Sequence, residues 1–512
     1  MRQYVLAYDL GTTGNKAVLV DEQCHLVASA FYPYTTFFPF DKAVEQDPWD
    51  WWISVRQSTH ELLEQSGVPV ESIAVISFSG QMMACVPLAH DGDPIGRALI
   101  WADMRSTAQA QRLNAEVGEH RLYQIVGNRA NASYSAAKIM WVKENEPQRF
   151  QRTYKFVQPK DFVAMKMTGR FVTDYSDASG TNLFDLSSLQ WSSEILAAAG
   201  IDGGLMPQAV TATTVVGTLT ASAAEELQLV EGIPVVIGGA DGACAAAGAG
   251  ITEPGAIYQY MGSSSWLGSV SRMPILDERA RIFNWAHVVP GLYAPTGTMQ
   301  AAGTSFQWLR TVLERGGDDL SFERMEEMAA QSPPTAKALI FLPYLLGERS
   351  PIWDASARAA FVGLQMHHQT GDLIRAVMEG VALNMKGILD AFTEVGSYDM
   401  IRLIGGGAKS RLWAQILADV YGVPMAVPKV VDEATAMGAA VTGGVGVGLY
   451  PNFEVVADVI GEEQMIYPSV ERHGVYSLWQ PLYEGAYQAL KHTFQRLSEC
   501  SFDGDRGTRM LD

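Results

Sequence analysis

Runs and alternations of apolar residues divide the chain into short β-prone segments followed by helix-prone ones, the order of an α/β protein. Residues 4–8 and 17–20 are apolar and β-prone. Between them lies Asp9-Leu10-Gly11-Thr12-Thr13-Gly14-Asn15-Lys16, so the stretch predicts a strand-turn-strand hairpin. Another strand is expected over 26–34, and the aromatic, proline-containing run 31–40 reads as an irregular loop taking over from its end. Asp47-Pro48 has the signature of a helix start, with a capping acid and then proline at the first helical position, and that helix should reach about residue 65. Residues 73–79 form a nearly continuous apolar run, as in strands buried on both faces. That strand delivers Gln81, Met82 and Met83 to a loop at its carboxyl end, where open sheets carry ligands. Residues 99–105 repeat the arrangement and end in Trp101, Asp103 and Arg105. A helix is expected over 133–145, a strand and helix over 155–168, and a polar loop, either cleft wall or surface, over 173–181.

The second half opens like the first. An apolar strand over 233–237 is followed by Gly238-Gly239-Ala240-Asp241-Gly242 and an alanine-rich helix. This places Asp241 at a helix N-terminus, either as a cap or facing a ligand. Residues 257–261, 262–265 and 266–270 repeat the layout of the opening hairpin, with Gly262 and Ser263 in the turn. A third glycine turn, with Gly406, Gly407 and Ser410, lies between a strand over 401–404 and a helix over 412–421. Two halves with matching hairpins predict an internal duplication whose copies face each other across a cleft. Beyond residue 448 a short helix is expected over 454–460. An amphipathic helix is expected over 481–499, with Leu482, Ala486, Leu490 and Phe494 as its apolar stripe, and a frayed end over 501–512.

The hairpin turn holds an inventory suited to a polyphosphate and its metal. Glycines admit close approach, Thr12 and Thr13 offer hydroxyls and Lys16 a positive charge, and Asp9 is placed to hold Mg2+ directly or through water. Asp103 is placed either to accept hydrogen bonds from vicinal hydroxyls of a polyol, with Trp101 packed on its apolar face, or to pair with Arg105. Neither a Walker-type nor a Rossmann phosphate loop occurs.

Composition narrows the class. With 512 residues, 48% of them hydrophobic, the chain should divide into at least two domains. No apolar run approaches the ~18–20 residues that span a bilayer, so no membrane partner is expected and a cytoplasmic location is. Four cysteines far apart argue against a disulfide framework or structural zinc. A net charge of −19 disfavours nucleic acid as a partner but leaves room for a nucleotide held by local positive potential.

Four stretches together resemble the FGGY carbohydrate kinases: the opening hairpin, residues 133–145 with Lys138 and Trp141, residues 341–351 (FLPYLLGERSP), and residues 359–379. The resemblance runs from the first hairpin to about residue 448. It implies duplicated ribonuclease-H-like domains of the actin-like ATPase fold with an interdomain cleft. The implied division is an N-terminal, sugar-side domain over 1–250, a C-terminal, nucleotide-side domain over 251–450, and a helical extension over 451–512 packed on the body. It implies ATP and Mg2+, with Asp241 as the base that takes a proton from a sugar hydroxyl attacking the γ-phosphate, and Asp9 organising metal and phosphate. It further implies phosphate contacts from Thr12, Thr13, Lys16 and Ser263, and a nucleotide pocket lined by Gly303, Gln307, Gly406 and Ser410. The partner is a small sugar or polyol, and members are often dimeric. The nearest branch in look is the xylulokinases, with one departure. Where those typically carry Gly-Gln-Met-His-Gly, this chain has Gly80-Gln81-Met82-Met83-Ala84. A thioether thus replaces an imidazole that contacts the sugar, which leaves ribulose or another pentulose, glycerol and erythritol open as acceptors beside D-xylulose, the first choice, with a non-catalytic nucleotide- or sugar-binding regulator as the alternative to an enzyme.

Overall fold

The computed structural model describes residues 3–314, 320–428, 434–461, 463–503 and 507–510. In chain order, the elements that position the site begin with β1 (Tyr4–Leu10), β2 (Gly14–Val20), β3 (Leu26–Pro33), α1 (Pro48–Ser66), β4 (Ile73–Gly80) and α2 (Pro159–Thr168). Next come β5 (Val172–Asp174), α3 (Tyr175–Ser179), β6 (Val215–Thr218), β7 (Pro234–Val236), β8 (Gly239–Ala240) and α4 (Asp241–Gly248). The second half holds β9 (Ile257–Met261), β10 (Ser265–Ser269), β11 (Phe283–Ala286), β12 (Tyr293–Met299), α5 (Gly303–Glu314) and α6 (Thr370–Thr393). It continues with β13 (Ile401–Ile404), α7 (Arg411–Tyr421), β14 (Met425–Pro428), α8 (Ala434–Gly446), β15 (Glu463–Ile466) and α9 (Val470–Ser498).

These elements make two large mixed sheets with a common core of five strands. The first has the order β6-β7-β4-β1-β2-β3, with β8 also paired to β4, and the second the order β11-β12-β10-β9-β13-β14-β15. In both, a central hairpin (β1–β2, β9–β10) is antiparallel and its first strand runs parallel to a later one (β4, β13). That strand has a parallel neighbour (β7, β14), which an antiparallel edge strand (β6, β15) follows. The duplication expected from the two hairpins is therefore carried by a shared core of five strands, β7-β4-β1-β2-β3 and β14-β13-β9-β10-β12.

The apolar run of β1 is continuous because both sheet faces are covered. Leu6, Tyr8 and Leu10 join the core with Trp51, Trp52 and Val55 of α1 and Phe162 of α2, whereas Val5 and Ala7 join Ala243 and Ala247 of α4 and Ala436, Ala439 and Ala440 of α8. The opposite side of α4, through Ala246 and Ala249, packs with Tyr258 of β9 and Ile404 of β13. The helix that begins at Asp241 thus lies between the two sheets. Asp47 caps α1 as the sequence predicts, accepting from Trp49 N at 3.0 Å.

Three expectations need correction. Residues 173–181 are no polar loop: β5 and α3 bury Thr173, Asp174, Ser176, Asp177 and Ser179, because Lys160 pairs with Asp174 and Asp177, the Ser176 hydroxyl donates to Asp174 Oδ2 and the Ser179 hydroxyl donates to Tyr175 O. The last long helix begins at Val470, capped by Ser469, and runs through Pro481. Its buried stripe is Tyr476, Tyr483, Tyr487 and Phe494, with Ala486 and Leu490 partly buried, while Leu482 is 55% exposed. The tyrosines win the inward positions because their hydroxyls reach buried partners: Tyr476 donates to Glu379 Oε1 at 2.6 Å and Tyr483 pairs with Tyr344 at 3.2 Å. At the expected frayed end, Cys500–Asp503 and Gly507–Met510 pair antiparallel; 504–506 and 511–512 lie outside the described residues. Among the described residues Cys24, Cys85 and Cys244 are buried free thiols, and no helix is long and apolar enough to cross a membrane.

Candidate active site

Strand register brings two carboxylates to one rim. Leu10 pairs with Gly80, and Gly80 with Ala240, in parallel. Asp9 and Asp241 therefore sit at the carboxyl ends of strands two apart, about 9–10 Å across the sheet at ordinary strand spacing. Both line a cavity of about 740 Å³ that also takes residues from the second sheet, among them Tyr258, Ser263, Phe283 and Thr298. Burial, and then the Asp9 carboxylate, push the Asp241 carboxyl up to about 7, against the Gly242 N–H that donates to its Oδ1 at 2.7 Å.

The first hairpin turn is held from behind. Gln46 Nε2 donates to Thr12 O at 2.7 Å, Gln81 Nε2 to Gly11 O at 3.3 Å, and Tyr34 N to Thr13 O at 3.3 Å. Gln81 Nε2 also donates to Gln46 Oε1 at 2.7 Å. The turn thus has the carbonyls of Gly11, Thr12 and Thr13 directed to protein donors. Of its residues, Thr12 lines the cavity with Asp9 and Gly11; Thr13 is exposed and Lys16 is half-buried in β2, in register with Asp9, and neither lines it.

Two expected substrate contacts are corrected. Gln81 is 1% exposed and lies outside the cavity lining, because its amide braces the turn. Asp103 is fully buried: its Oδ2 accepts from Val44 N at 2.7 Å and both oxygens take the Arg105 guanidinium at about 3 Å. Of the two readings open for Asp103 in the sequence, the ion pair with Arg105 is the one the structure contains. Trp101 does line the cavity, and its indole N–H donates to Thr12 Oγ1 at 2.9 Å.

Met82 and Met83 line the same cavity. Met83 adopts a left-handed backbone (φ 64°), and its carbonyl accepts from Lys138 Nζ at 2.9 Å. Lys138 is fully buried, and burial pulls its ammonium down to about 7. The lysine of the 133–145 segment thus fastens the loop. Sequence reasoning missed Asn131, Tyr134, Arg349 and Trp353, which join this wall. Tyr134 and Arg349 sit inside segments that sequence singled out, but nothing in their order shows that residues 215 positions apart meet. Arg349 Nη2 donates to Ser133 Oγ, on the residue before Tyr134, at 3.1 Å.

A second cavity, of about 760 Å³, shares Ser263, Thr304 and Gly406 with the first. Gly262, Gly303, Gln307, Gly407 and Ser410 line it, so the four residues expected at the nucleotide pocket, Gly303, Gln307, Gly406 and Ser410, share one space. Gly303 is required there: a Cβ on it would stand 2.4 Å from the Gly262 carbonyl, which accepts from Gly303 N at 2.9 Å. Ser410 caps α7, accepting from Trp413 N at 3.1 Å, and keeps its own hydroxyl proton to donate.

Comparison with known proteins agrees with this arrangement. Residues 4–248 match the model for the FGGY family of carbohydrate kinases, N-terminal domain, and residues 257–447 match its C-terminal domain. The chain is 33% identical over 491 residues to a xylulose kinase of Bacillus subtilis, covering 96% of this chain and 97% of that protein. It is also 29% identical over 508 residues to a gluconokinase of Bacillus licheniformis, covering 97% and 98%. The crystal structure of a xylulose kinase from Rhodospirillum rubrum superposes with a TM-score of 0.89 at 29% identity, covering 96% of this chain and all of that one. Two matched domain models, one five-strand order used twice and a cleft between the copies place this chain in the FGGY family of carbohydrate kinases, an actin-like ATPase fold.

Proposed function

We propose that the chain transfers the γ-phosphoryl group of ATP to a terminal hydroxyl of a small sugar, with D-xylulose the leading acceptor and Asp241 the general base. The observation that carries this reading is the pair of carboxylates, Asp9 and Asp241, in the wall of the first cavity, with burial pushing the Asp241 carboxyl up to about 7. A base is most useful when its pKa lies near the working pH. Asp241 takes the proton from the acceptor hydroxyl. Thr12 and Ser263 approach the phosphates from the two hairpins, with Thr13 and Lys16 beside the first, while Gly262, Gly303, Gln307, Gly406, Gly407 and Ser410 receive the nucleotide. Phosphoryl transfer asks the protein mainly for positioning and charge neutralisation. Mg2+ fits this wall, because Asp9 offers the hard oxygen donors that such a cation takes alongside phosphate oxygens; when bound it neutralises phosphate charge. The acceptor lies against Met82, Met83 and Trp101. Residues 1–250 and 251–450 are the sugar-side and nucleotide-side domains on this reading.

The D-xylulose assignment draws on the xylulose kinases named above, and Met83 is its weak point. A coupled ADP-release assay across D-xylulose, D-ribulose, L-ribulose, L-xylulose, glycerol and erythritol tests it. D-xylulose is expected to give the highest kcat/KM, and Met83→His is expected to lower its KM by ~5–10-fold, the scale of one recovered hydrogen bond. The backbone there suits the change, since histidine is among the residues enriched at positive φ. Another acceptor leading the panel overturns the D-xylulose assignment, and no acceptor-dependent ADP release overturns the kinase reading of this site.

The pH profile has a defined sign. A base must be deprotonated to act, so kcat/KM should rise tenfold per pH unit below about 7 and level off above it. An acid limb near pH 4 would mean that a carboxyl with an ordinary pKa limits the rate.

A further inference from the structure

Beneath the site lie four buried charges that the proposed reaction does not use. Lys160 Nζ stands 2.8 Å from Asp161 Oδ1, 2.9 Å from Asp174 Oδ1 and 3.1 Å from Asp177 Oδ2, and all four side chains are at most 1% exposed. Well-packed apolar residues of similar volume often hold a fold as well as a buried ion cluster does, so stability alone does not account for this one. Burial, with Asp174 and Asp161 nearby, holds the Asp177 carboxyl well above its ordinary value, and of the three carboxylates Asp177 stands farthest from the ammonium.

Two hydrogen-bonded arms leave the cluster and end at two neighbouring segments of the cavity wall, which follow the paired strands β4 and β8. In the first, Asp161 Oδ2 accepts from Gln158 N at 2.9 Å; Gln158 Oε1 accepts from Ala84 N at 2.8 Å and Nε2 donates to Ala84 O at 3.3 Å. This closes the loop that carries Met82 and Met83. In the second, Asp174 Oδ2 accepts from Ser176 N at 2.7 Å and from the Ser176 hydroxyl, and Ser176 Oγ accepts from Ala240 N at 2.9 Å. Ala240 is the residue before Asp241. Between the arms, Lys160 lies close under the strand rim: a Cβ on Gly80 would come within 3.2 Å of the Lys160 Cβ.

We propose that the Lys160 cluster is a positioning device for the phosphoryl transfer. By tying Asp161 and Asp174 to one cation it sets the distance between the acceptor loop and Asp241, with Ser176 the positioning residue for Asp241 and Gln158 the positioning residue for the loop. The proposal rests on Asp241 being the base. Phosphoryl transfer is demanding in this respect, since a misplacement of ~1 Å far from the chemistry can cost ~100-fold in rate.

The test compares Ser176→Ala, Ser176→Thr, Gln158→Ala and Asp241→Asn in the full chain, with ATP, Mg2+ and the acceptor that leads the panel above. Ser176→Ala is expected to lower kcat by ~10–100-fold while both KM values stay within ~2-fold, and Ser176→Thr, which keeps an Oγ, to recover most of the loss. Gln158→Ala is expected to raise the acceptor KM by ~5–10-fold with the ATP KM unchanged. A merely structural role lowers the melting temperature and the fraction of sites that bind ATP, but leaves kcat per binding site and the two KM values as they were. A Ser176→Ala enzyme whose kcat per site stays within ~2-fold of the parent overturns the proposal. Retained turnover in Asp241→Asn overturns the assignment of the base instead. Loss in Asp241→Asn without loss in Ser176→Ala overturns only the positioning role.

Discussion

Asp241→Asn is expected to lower the kcat of acceptor-dependent ADP release by ~10²–10⁴-fold, the range general-base catalysis supplies, with ATP affinity by equilibrium titration little changed. Asparagine keeps the side-chain shape and an oxygen to accept the Gly242 N–H, so the start of α4 should survive the change. What it loses is the ability to take a proton. It also removes the repulsion that Asp9 exerts on this position, so nucleotide binding has no reason to weaken. A loss below about tenfold would show that another group, or solvent, accepts the proton.

The second large effect is on stability. Lys160→Met is expected to destabilise the fold by ~3–5 kcal/mol, because removing the cation leaves buried carboxylates uncompensated. Urea denaturation at about pH 5.5 and about pH 8 should show a larger deficit at the higher pH. The sign follows from the direction of the shifts. Burial raises the Asp161 and Asp177 carboxyls even with Lys160 present, and losing its attraction raises them further. A carboxyl whose folded pKa lies above its unfolded value favours folding at low pH and loses that contribution as pH rises through the folded value. An equal deficit at both pH values, or one below about 1 kcal/mol, would mean that packing rather than charge holds this region.

Much of the site was legible residue by residue. The hairpin showed its glycines, hydroxyls and acid within eight positions, and Asp241 stood at a predicted strand-to-helix junction; both are local patterns, and local patterns survive in one dimension. Asp103 shows where that ends. Its neighbour Arg105 was visible, but the backbone N–H of Val44, 59 positions away, was not, and the two together commit its oxygens. Gln81 is similar: beside a predicted ligand loop it reads as a contact, yet it lies outside the cavity lining and Gln46 and Gly11 take up its Nε2. The polar run 173–181 is the strongest case. Its composition is that of a surface loop, and only a buried lysine from another helix lets it sit inside the protein.

The order of apolar runs, the two hairpins and the family's stretches determined, without coordinates, that this chain is a duplicated α/β carbohydrate kinase, because strand and helix signals and turn chemistry are written in neighbouring residues. Tertiary structure alone decided which polar side chains line the cavity and which are spent on bracing. That depends on whether a partner waits inside the fold, and such partners lie tens to hundreds of positions apart. Asp9 and Asp241 are brought to one rim by strand register, Tyr134 and Arg349 by the meeting of the two halves, and Lys160 beneath the rim by the close approach of its helix to Gly80.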